Sequence, residues 1–197
     1  NTKLVVVCNP NNPTGTSIPL SEIGSLADAI PKDALLLVDE AYIEFAPDGV
    51  APAIDINDPR LIRMRTFSKG YGMAGARVGY AIGQRDLIRS FDKIRNHFGM
   101  NRAAQAGALA ALKDSDWLDS VRAQVAASRT SIDDIARKNG LSTLPSATNF
   151  VAVDCQQDGA FAQRVLTALI KQGLFVRMPF VAPQNRCIRI STGTAEN

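Results

Sequence analysis

The stretch LIRMRTFSK, residues 61–69, decides the fold of this 197-residue chain. It begins as an apolar, strand-like run and ends in the hydroxyl residues Thr66 and Ser68, followed by Lys69. Arg77 follows shortly afterwards in GARVG, residues 75–79, and between these neighbours we expect it to point into a confined site. Polar side chains that follow a buried strand gather at the carboxyl edge of an open α/β sheet, where such proteins bind ligands. The stretch therefore predicts a strand that delivers an amine, two hydroxyls and a guanidinium to one site.

Two earlier apolar runs, residues 4–8 and 35–38, also end in polar clusters. The first leads into NPNNPTG, which contains Asn12, and the second leads into Asp39 and Tyr42. These clusters are what an aldehyde cofactor that carries a phosphate requires. A lysine bonds the aldehyde, hydroxyls and an arginine hold the phosphate, and an acid faces the ring nitrogen.

The distribution of apolar residues predicts an α/β fold. Strands of a parallel sheet, covered on both faces, are predicted where apolar runs lack polar alternation, at residues 4–8, 35–38, 61–64 and 78–82. Helical spacing in residues 21–30, with Ser21 as the cap, predicts a βαβ unit between the first two strands. Further helices are predicted at residues 86–96, 103–113, 117–139 and 159–172, and further strands at residues 149–153, 174–176 and 187–190.

These elements divide the chain into two parts. We expect residues 1–113 to form a mainly parallel sheet with helices on both faces, and residues 114–197 to form a small α+β domain. An apolar fraction of 46% is enough for one substantial core with a smaller lobe.

Composition excludes several classes of protein. A net charge of +3, spread along the chain, argues against a nucleic-acid partner, and the apolar runs are too short to span a membrane. The cysteines, Cys8, Cys155 and Cys187, form no CxxC pair, so we expect reduced core residues of a cytoplasmic protein. The lone histidine, His97, has no carboxylate or cysteine near it in sequence, so we expect a loop or pocket-rim residue and no metal site.

Four motifs in order resemble those of the pyridoxal-phosphate aminotransferases of fold type I, and most closely those of the histidinol-phosphate aminotransferases. They are NNPTG, VDEAY, TFSKGYGMAGARVG and IRISTGT, at residues 11–15, 38–42, 66–79 and 188–194. The resemblance covers nearly the whole chain and places residues 1–113 in the large cofactor-binding domain. Family members are considerably longer, so we expect this chain to be a fragment that lacks the amino-terminal part.

The resemblance implies pyridoxal 5'-phosphate as the cofactor and assigns its contacts. Lys69 bonds covalently to the aldehyde and then moves the substrate proton, and Asp39 pairs with the pyridine nitrogen. Tyr42 and Asn12 reach the phenolic oxygen of the cofactor. The phosphate is assigned to Thr66, Ser68 and Arg77.

Two arginines in the second half are assigned to the substrate. Arg189 lies between aliphatic residues in IRI, where an inward guanidinium needs an anion, and the resemblance gives it the substrate α-carboxylate. Arg177 matches the position that helps bind the phosphate of histidinol phosphate. The expected reaction is transamination of histidinol phosphate, a small-molecule amino donor, with 2-oxoglutarate as the 2-oxo acid, in a homodimer.

Other activities remain open because residues 95–101 depart from the histidinol-phosphate pattern, which has a proline in this segment. The alternatives are an aromatic or other amino-acid aminotransferase, a phosphothreonine decarboxylase, and the cofactor-sensing domain of a transcription regulator.

Overall fold

A computed structural model describes residues 2–50, 57–194 and 196. The chain forms two compact units. The first unit comprises Asn1–Pro10 and Ser17–Val121, and the second comprises Asn11–Thr16 and Arg122–Asn197. The segment Asn11–Thr16 thus groups with the carboxy-terminal part of the chain, which sequence order alone does not indicate. The domain division expected between residues 113 and 114 stays a prediction.

Among the described residues, the first unit is built on a four-stranded sheet in the order β1-β2-β3-β4. The strands are β1 (Leu4–Cys8), β2 (Leu35–Asp39), β3 (Leu61–Thr66) and β4 (Gly79–Gly83). Neighbouring strands are parallel from β1 to β3, but β4 pairs antiparallel with β3. The prediction that β4 belongs to the parallel set is therefore wrong. The short connection after β3 returns the chain along the same edge, whereas a parallel partner needs a long crossover.

Helix α1 (Leu20–Ala29) joins β1 to β2 and packs on one face of the sheet. The buried side chains that form this core are Ile23, Ile30, Leu36 and Val38. The alternate side chains of β1, Leu4 and Val6, are 50% and 55% exposed. The predicted cap at Ser21 is wrong, because the helix begins one residue earlier, after Pro19, and has no side-chain cap.

After β4, the described part of the first unit continues with further helices. They are α2 (Arg85–Arg89), a 3-10 helix (Ser90–Lys93), α3 (Arg102–Lys113) and the first part of α4 (Ser115–Lys138). The helix predicted over residues 86–96 is therefore shorter than expected. Helix α3 packs through Ala104 and Ala108 against Phe67 and Val78, the residues that flank the turn after β3. This packing fixes the turn that carries Lys69.

The described part of the second unit contains a three-stranded antiparallel sheet in the order β5-β6-β7. Its elements are β5 (Ser142–Thr143), β6 (Phe150–Asp154), α5 (Gly159–Lys171) and β7 (Cys187–Ser191). The core between the sheet and the helices is formed by Ala136, Val151, Val153, Cys155, Ala162 and Ile188.

The strand predicted over residues 174–176 is absent from the described structure. Leu174 and Phe175 are 51% and 75% exposed, so this run has no apolar surface against which to pack as a strand. Only Arg177 pairs with the sheet here, through an isolated bridge to Arg189.

All three cysteines lie in the described part of the chain, and all are free thiols. Cys155 and Cys187 are buried as predicted, but Cys8 is exposed, so its assignment to the core is wrong. None of the helices that the structure describes combines the length and the apolar character that a membrane span requires.

Candidate active site

Lys69 lies in the turn that follows β3, and Tyr42 lies in the turn that follows β2. The Nζ atom of Lys69 is 5.1 Å from the centroid of the Tyr42 ring. Backbone hydrogen bonds from Gly72 to Lys69 (3.0 Å) and from Met73 to Phe67 (2.9 Å) close the turn. The amine is thus held over an aromatic face at the carboxyl edge of the sheet, where open α/β proteins bind ligands.

Asp39 is the last residue of β2, the strand that lies between β1 and β3. In the register of the sheet it stands opposite Cys8 on one side and Met64 on the other. Its carboxylate accepts a hydrogen bond from the backbone N–H of Ala41 at 3.0 Å. The acid is thus fixed at the carboxyl edge of the parallel strands, as its position in the sequence predicts.

Thr66, Ser68 and Arg77 line one cavity of about 370 Å³. The backbone N–H of Ser68 donates to the Thr66 hydroxyl oxygen at 3.0 Å, which orients the Thr66 side chain in the turn. Two hydroxyls and a guanidinium are a donor set that suits a phosphate dianion.

Arg77 adopts a left-handed backbone conformation (φ 53°) and donates to the carbonyl oxygen of Ala74 at 2.7 Å. Its side chain is exposed, so the structure does not give it the confined position expected from its small neighbours. Close packing is found instead at Gly79, where a Cβ atom would lie 2.7 Å from the carbonyl oxygen of Arg65. Only glycine allows this approach of β4 to β3.

Arg189 is the centre of a second group of predicted residues, all in the second unit. Its Nη1 atom donates to the side-chain oxygen of Asn12 at 2.6 Å, and its guanidinium carbon is 4.8 Å from the centroid of the Phe150 ring. The Nε atom of Arg189 is buried and has no hydrogen-bond partner among the described residues. A buried, unsatisfied guanidinium donor is the feature expected of an anion-binding arginine.

Arg177 lies beside Arg189, to which it is joined by backbone hydrogen bonds of 2.6 Å and 3.1 Å. Both arginines line a cavity of about 480 Å³ with apolar neighbours that include Phe180 and Val181. Arg177 itself is exposed, and its guanidinium carbon is 4.9 Å from the centroid of the Phe175 ring. The two predicted substrate residues therefore share one cavity.

The predicted residues thus fall into two groups, which the structure describes separately. The first unit contains Asp39, Tyr42, Thr66, Ser68, Lys69 and Arg77, and the second contains Asn12, Arg177 and Arg189. The resemblance assigns Asn12 to the cofactor together with Tyr42, and this assignment stays a prediction. In the structure, the side-chain oxygen of Asn12 accepts a hydrogen bond from Arg189.

A buried ion-pair network, which the sequence analysis missed, lies directly after Asp39. The Glu40 carboxylate accepts hydrogen bonds from Arg63 at 2.6 and 3.0 Å and from Arg65 at 2.7 Å. Burial by itself lowers the pKa of Arg65, but the hydrogen bond and charge of Glu40 outweigh it and raise the pKa. The signal was present in the sequence, because arginines at alternate positions of an apolar strand share one face and need an anion there.

Glu44 is a second residue that the sequence analysis missed. It lies in the 3-10 helix Ile43–Phe45, and both of its carboxyl oxygens are buried. Burial raises the pKa of Glu44 to about 7, against the lowering effects of its own backbone N–H and of Arg65. A carboxyl group that titrates near neutral pH, beside a candidate catalytic lysine, is a candidate for a functional role.

The sequence matches a known protein family along its whole length. The family model for aminotransferases of class I and II matches residues 1–197. A histidinol-phosphate aminotransferase of Bacillus pumilus is 40% identical over 100% of this chain and 54% of its own length. An aromatic amino acid aminotransferase of Mycobacterium avium is 38% identical over 92% of this chain and 54% of its own length. The chain spans about half the length of the curated relatives it matches.

Solved structures show the same fold. The crystal structure of histidinol-phosphate aminotransferase from Sinorhizobium meliloti in complex with pyridoxal-5'-phosphate is 50% identical and has a TM-score of 0.94, covering 98% of this chain and 53% of that one. An aminotransferase from Staphylococcus aureus is 28% identical with a TM-score of 0.81, covering 96% of this chain and 53% of its own. These similarities confirm the α/β fold class predicted from the sequence.

Proposed function

Because the chain belongs to the aminotransferase class I and II family, we propose that it carries out pyridoxal-phosphate-dependent transamination. The proposed amino donor is histidinol phosphate and the proposed acceptor is 2-oxoglutarate. The observation that carries the proposal is the arrangement at the carboxyl edge of the first sheet, where Lys69 lies over Tyr42 and Asp39 ends the strand next to β3. The similarity to histidinol-phosphate aminotransferases at 40% and 50% identity supports the choice of donor.

The residues of the first unit fit the chemistry of pyridoxal 5'-phosphate. The cofactor, when bound, supplies an electron-withdrawing ring that stabilises the negative charge left when the substrate loses its Cα proton. Lys69 provides the amine that attaches to the aldehyde and takes the Cα proton. Asp39 is assigned to hold a proton on the pyridine nitrogen, and Tyr42 is assigned to donate to the phenolic oxygen.

The phosphate end of the cofactor is assigned to the cavity lined by Thr66, Ser68 and Arg77. Hydroxyls and backbone amides supply neutral donors, and the guanidinium supplies a charge that persists at every physiological pH. An exposed Arg77 suits this role if its hydrogen bond to Ala74 is exchanged for bonds to phosphate oxygens.

Substrate recognition is assigned to the second unit. Arg189 has a buried, unsatisfied Nε and a neighbouring Nη1 that is already fixed by Asn12, so it is prepared to bind a carboxylate such as that of 2-oxoglutarate. Arg177 lines the same cavity and is assigned to the phosphate of histidinol phosphate. We further propose that the protein acts as a homodimer in the cytoplasm, which the resemblance to biosynthetic aminotransferases supports.

An aromatic amino acid is the second candidate donor. The cavity that contains Arg177 is also lined by Phe180 and Val181, which are 93% and 70% exposed and could contact an aromatic ring. The 38% identity to an aromatic amino acid aminotransferase is close to that of the histidinol-phosphate enzymes.

Half-reactions of the full-length protein with single donors test the proposal and separate the two candidates. Histidinol phosphate and phenylalanine are mixed in turn with cofactor-loaded protein, and the absorption bands of the cofactor are followed. Arg177→Gln should weaken the binding of histidinol phosphate about tenfold or more relative to the binding of phenylalanine. The reason is that it removes a charge-assisted hydrogen bond of about 1.5–3 kcal/mol.

Arg164→Gln is the matched control, because Arg164 also stacks on a phenylalanine, with 5.3 Å between its guanidinium carbon and the Phe161 ring centroid. It does not line the cavity and should leave both donors unchanged. Equal losses for both donors in Arg177→Gln would remove histidinol phosphate as the preferred donor. A protein that reacts with neither donor would contradict the proposed reaction.

A further inference from the structure

Glu44 packs directly against the turn that carries Lys69. A Cβ atom built on Gly70, the residue after Lys69, would lie 2.9 Å from the Cβ atom and 3.2 Å from the Cγ atom of Glu44. On the other side, the same position lies 3.3 Å from Leu118. Glu44 also raises the pKa of the next residue, Tyr71, by its charge, an effect that adds to burial. The Glu44 side chain therefore packs against the turn that carries Lys69.

The charged groups around Glu44 leave its carboxyl group without an ion-pair partner. Arg65 attracts it and Glu40 repels it, but the guanidinium of Arg65 already donates to Glu40 at 2.7 Å. Neither oxygen of Glu44 accepts a hydrogen bond from another residue in the described part of the chain. A neutral acid tolerates this environment, whereas a buried carboxylate requires a partner or water.

We propose that Glu44, in its neutral form, is a positioning residue for Lys69. The neutral side chain allows the Gly70 turn to pack against the 3-10 helix Ile43–Phe45, and this packing holds the lysine over the ring of Tyr42. Ionisation draws water towards the carboxylate and loosens the same contact. The proposal rests on the function proposed for Lys69, because a lysine that binds no cofactor would not need to be positioned.

The test measures the reactivity of Lys69 in the cofactor-free full-length protein between pH 6 and pH 8. Trace labelling with acetic anhydride, followed by peptide mass spectrometry, gives the rate at Lys69 relative to exposed Lys32, which corrects for the general effect of pH on amines. In the wild-type protein we expect this ratio to change about three- to tenfold with a midpoint near pH 7, where the carboxyl group titrates. In Glu44→Gln the ratio should be constant over this range.

Glu22→Gln is the matched control, because Glu22 is exposed in α1, and its ratio should follow that of the wild-type protein. An unchanged pH dependence in Glu44→Gln, or a constant ratio in the wild-type protein, would overturn the proposal. If Glu44→Gln does not fold, the pH dependence of the ratio in the wild-type protein alone tests the proposal. Cofactor attachment is mapped separately, so a constant ratio in a protein whose Lys69 binds the cofactor overturns only the positioning role, whereas attachment elsewhere overturns the proposed function.

Discussion

The Nη1 atom of Arg189 donates a hydrogen bond of 2.6 Å to the side-chain oxygen of Asn12, although 177 positions separate the two residues in sequence. This bond explains part of the grouping of Asn11–Thr16 with the carboxy-terminal unit. It also orients a guanidinium whose Nε has no partner among the residues described. The arginine proposed to bind an anion is therefore held in place by Asn12.

Replacing Asn12 should weaken binding at Arg189. Asn12→Ala removes a charge-assisted hydrogen bond, worth about 1.5–3 kcal/mol, so the KM for 2-oxoglutarate should rise about tenfold. Steady-state kinetics of the full-length protein measure this effect. Asn11→Ala is the control, since the Asn11 amide donates to Thr14 at 2.7 Å and not to Arg189. A KM that rises equally in both variants would show that the segment, and not the bond, is responsible.

Asp39→Asn should reduce turnover while the protein still binds its cofactor. The amide cannot hold a proton on the pyridine nitrogen, and the loss of one buried ionic partner is worth about 3–5 kcal/mol, or roughly two to four powers of ten in rate. Single-turnover rates of the variant measure the loss. Asp33→Asn, which changes an exposed acid paired with Lys3, should keep the wild-type rate. A variant Asp39→Asn that retains a tenth of wild-type turnover would show that Asp39 does not face the nitrogen.

Arg63→Met should destabilise the first unit. The Arg63 and Glu40 side chains are each only 1% exposed, so removing the arginine leaves a buried carboxylate with Arg65 as its remaining partner. Breaking a buried pair costs about 3–5 kcal/mol in the free energy of unfolding. Urea denaturation measures this loss.

Arg60→Met provides the comparison, because the Arg60–Asp58 pair is about a quarter exposed and its loss should cost about 1 kcal/mol or less. Equal destabilisation by the two variants would mean that the Glu40 network contributes no more than a surface pair.

The sequence predicted where the strands of this fold lie better than it predicted how those strands pair. Strands β1, β2 and β3 were predicted to within two residues because their apolar runs end in polar clusters. The direction of β4 was not predictable in this way, since an apolar run looks the same in a parallel and an antiparallel pair. The run at residues 174–176 is apolar but exposed, and hydrophobicity alone did not reveal that it lacks a packing surface.

For the candidate site, too, the sequence predicted residues better than the contacts between them. The motifs indicate the residues to which the chemistry is assigned. They do not indicate the hydrogen bond between Asn12 and Arg189, because that bond depends on how distant segments meet. The alternate arginines of β3 indicate a buried anion but do not identify it as Glu40, and nothing in the sequence around Glu44 indicates that its carboxyl oxygens are buried. The spacing of residues in the sequence predicts which side chains lie at the same edge of a sheet, whereas their hydrogen-bond partners depend on tertiary packing.

Glu44→Gln should change how stability depends on pH. In the wild-type protein the pKa of Glu44 is raised from 4.5 to about 7, so the folded state binds the proton more tightly than the unfolded state. Stability should therefore fall as pH rises from about 4.5 to about 7, by roughly 3 kcal/mol. The variant lacks this titration and should gain stability relative to the wild-type protein between pH 5 and pH 8. Urea denaturation at both pH values measures the difference, and parallel curves would contradict the raised pKa.

Attachment of the cofactor to Lys69 is the central claim. Full-length protein loaded with pyridoxal 5'-phosphate is reduced with borohydride, digested and mapped by mass spectrometry. We predict a pyridoxyl group on Lys69 and its absence in Lys69→Ala, with Lys113→Ala, an exposed lysine at the end of α3, as the control that keeps the label on Lys69. A pyridoxyl group on another lysine in the wild-type protein, or no covalent label at all, would contradict the account.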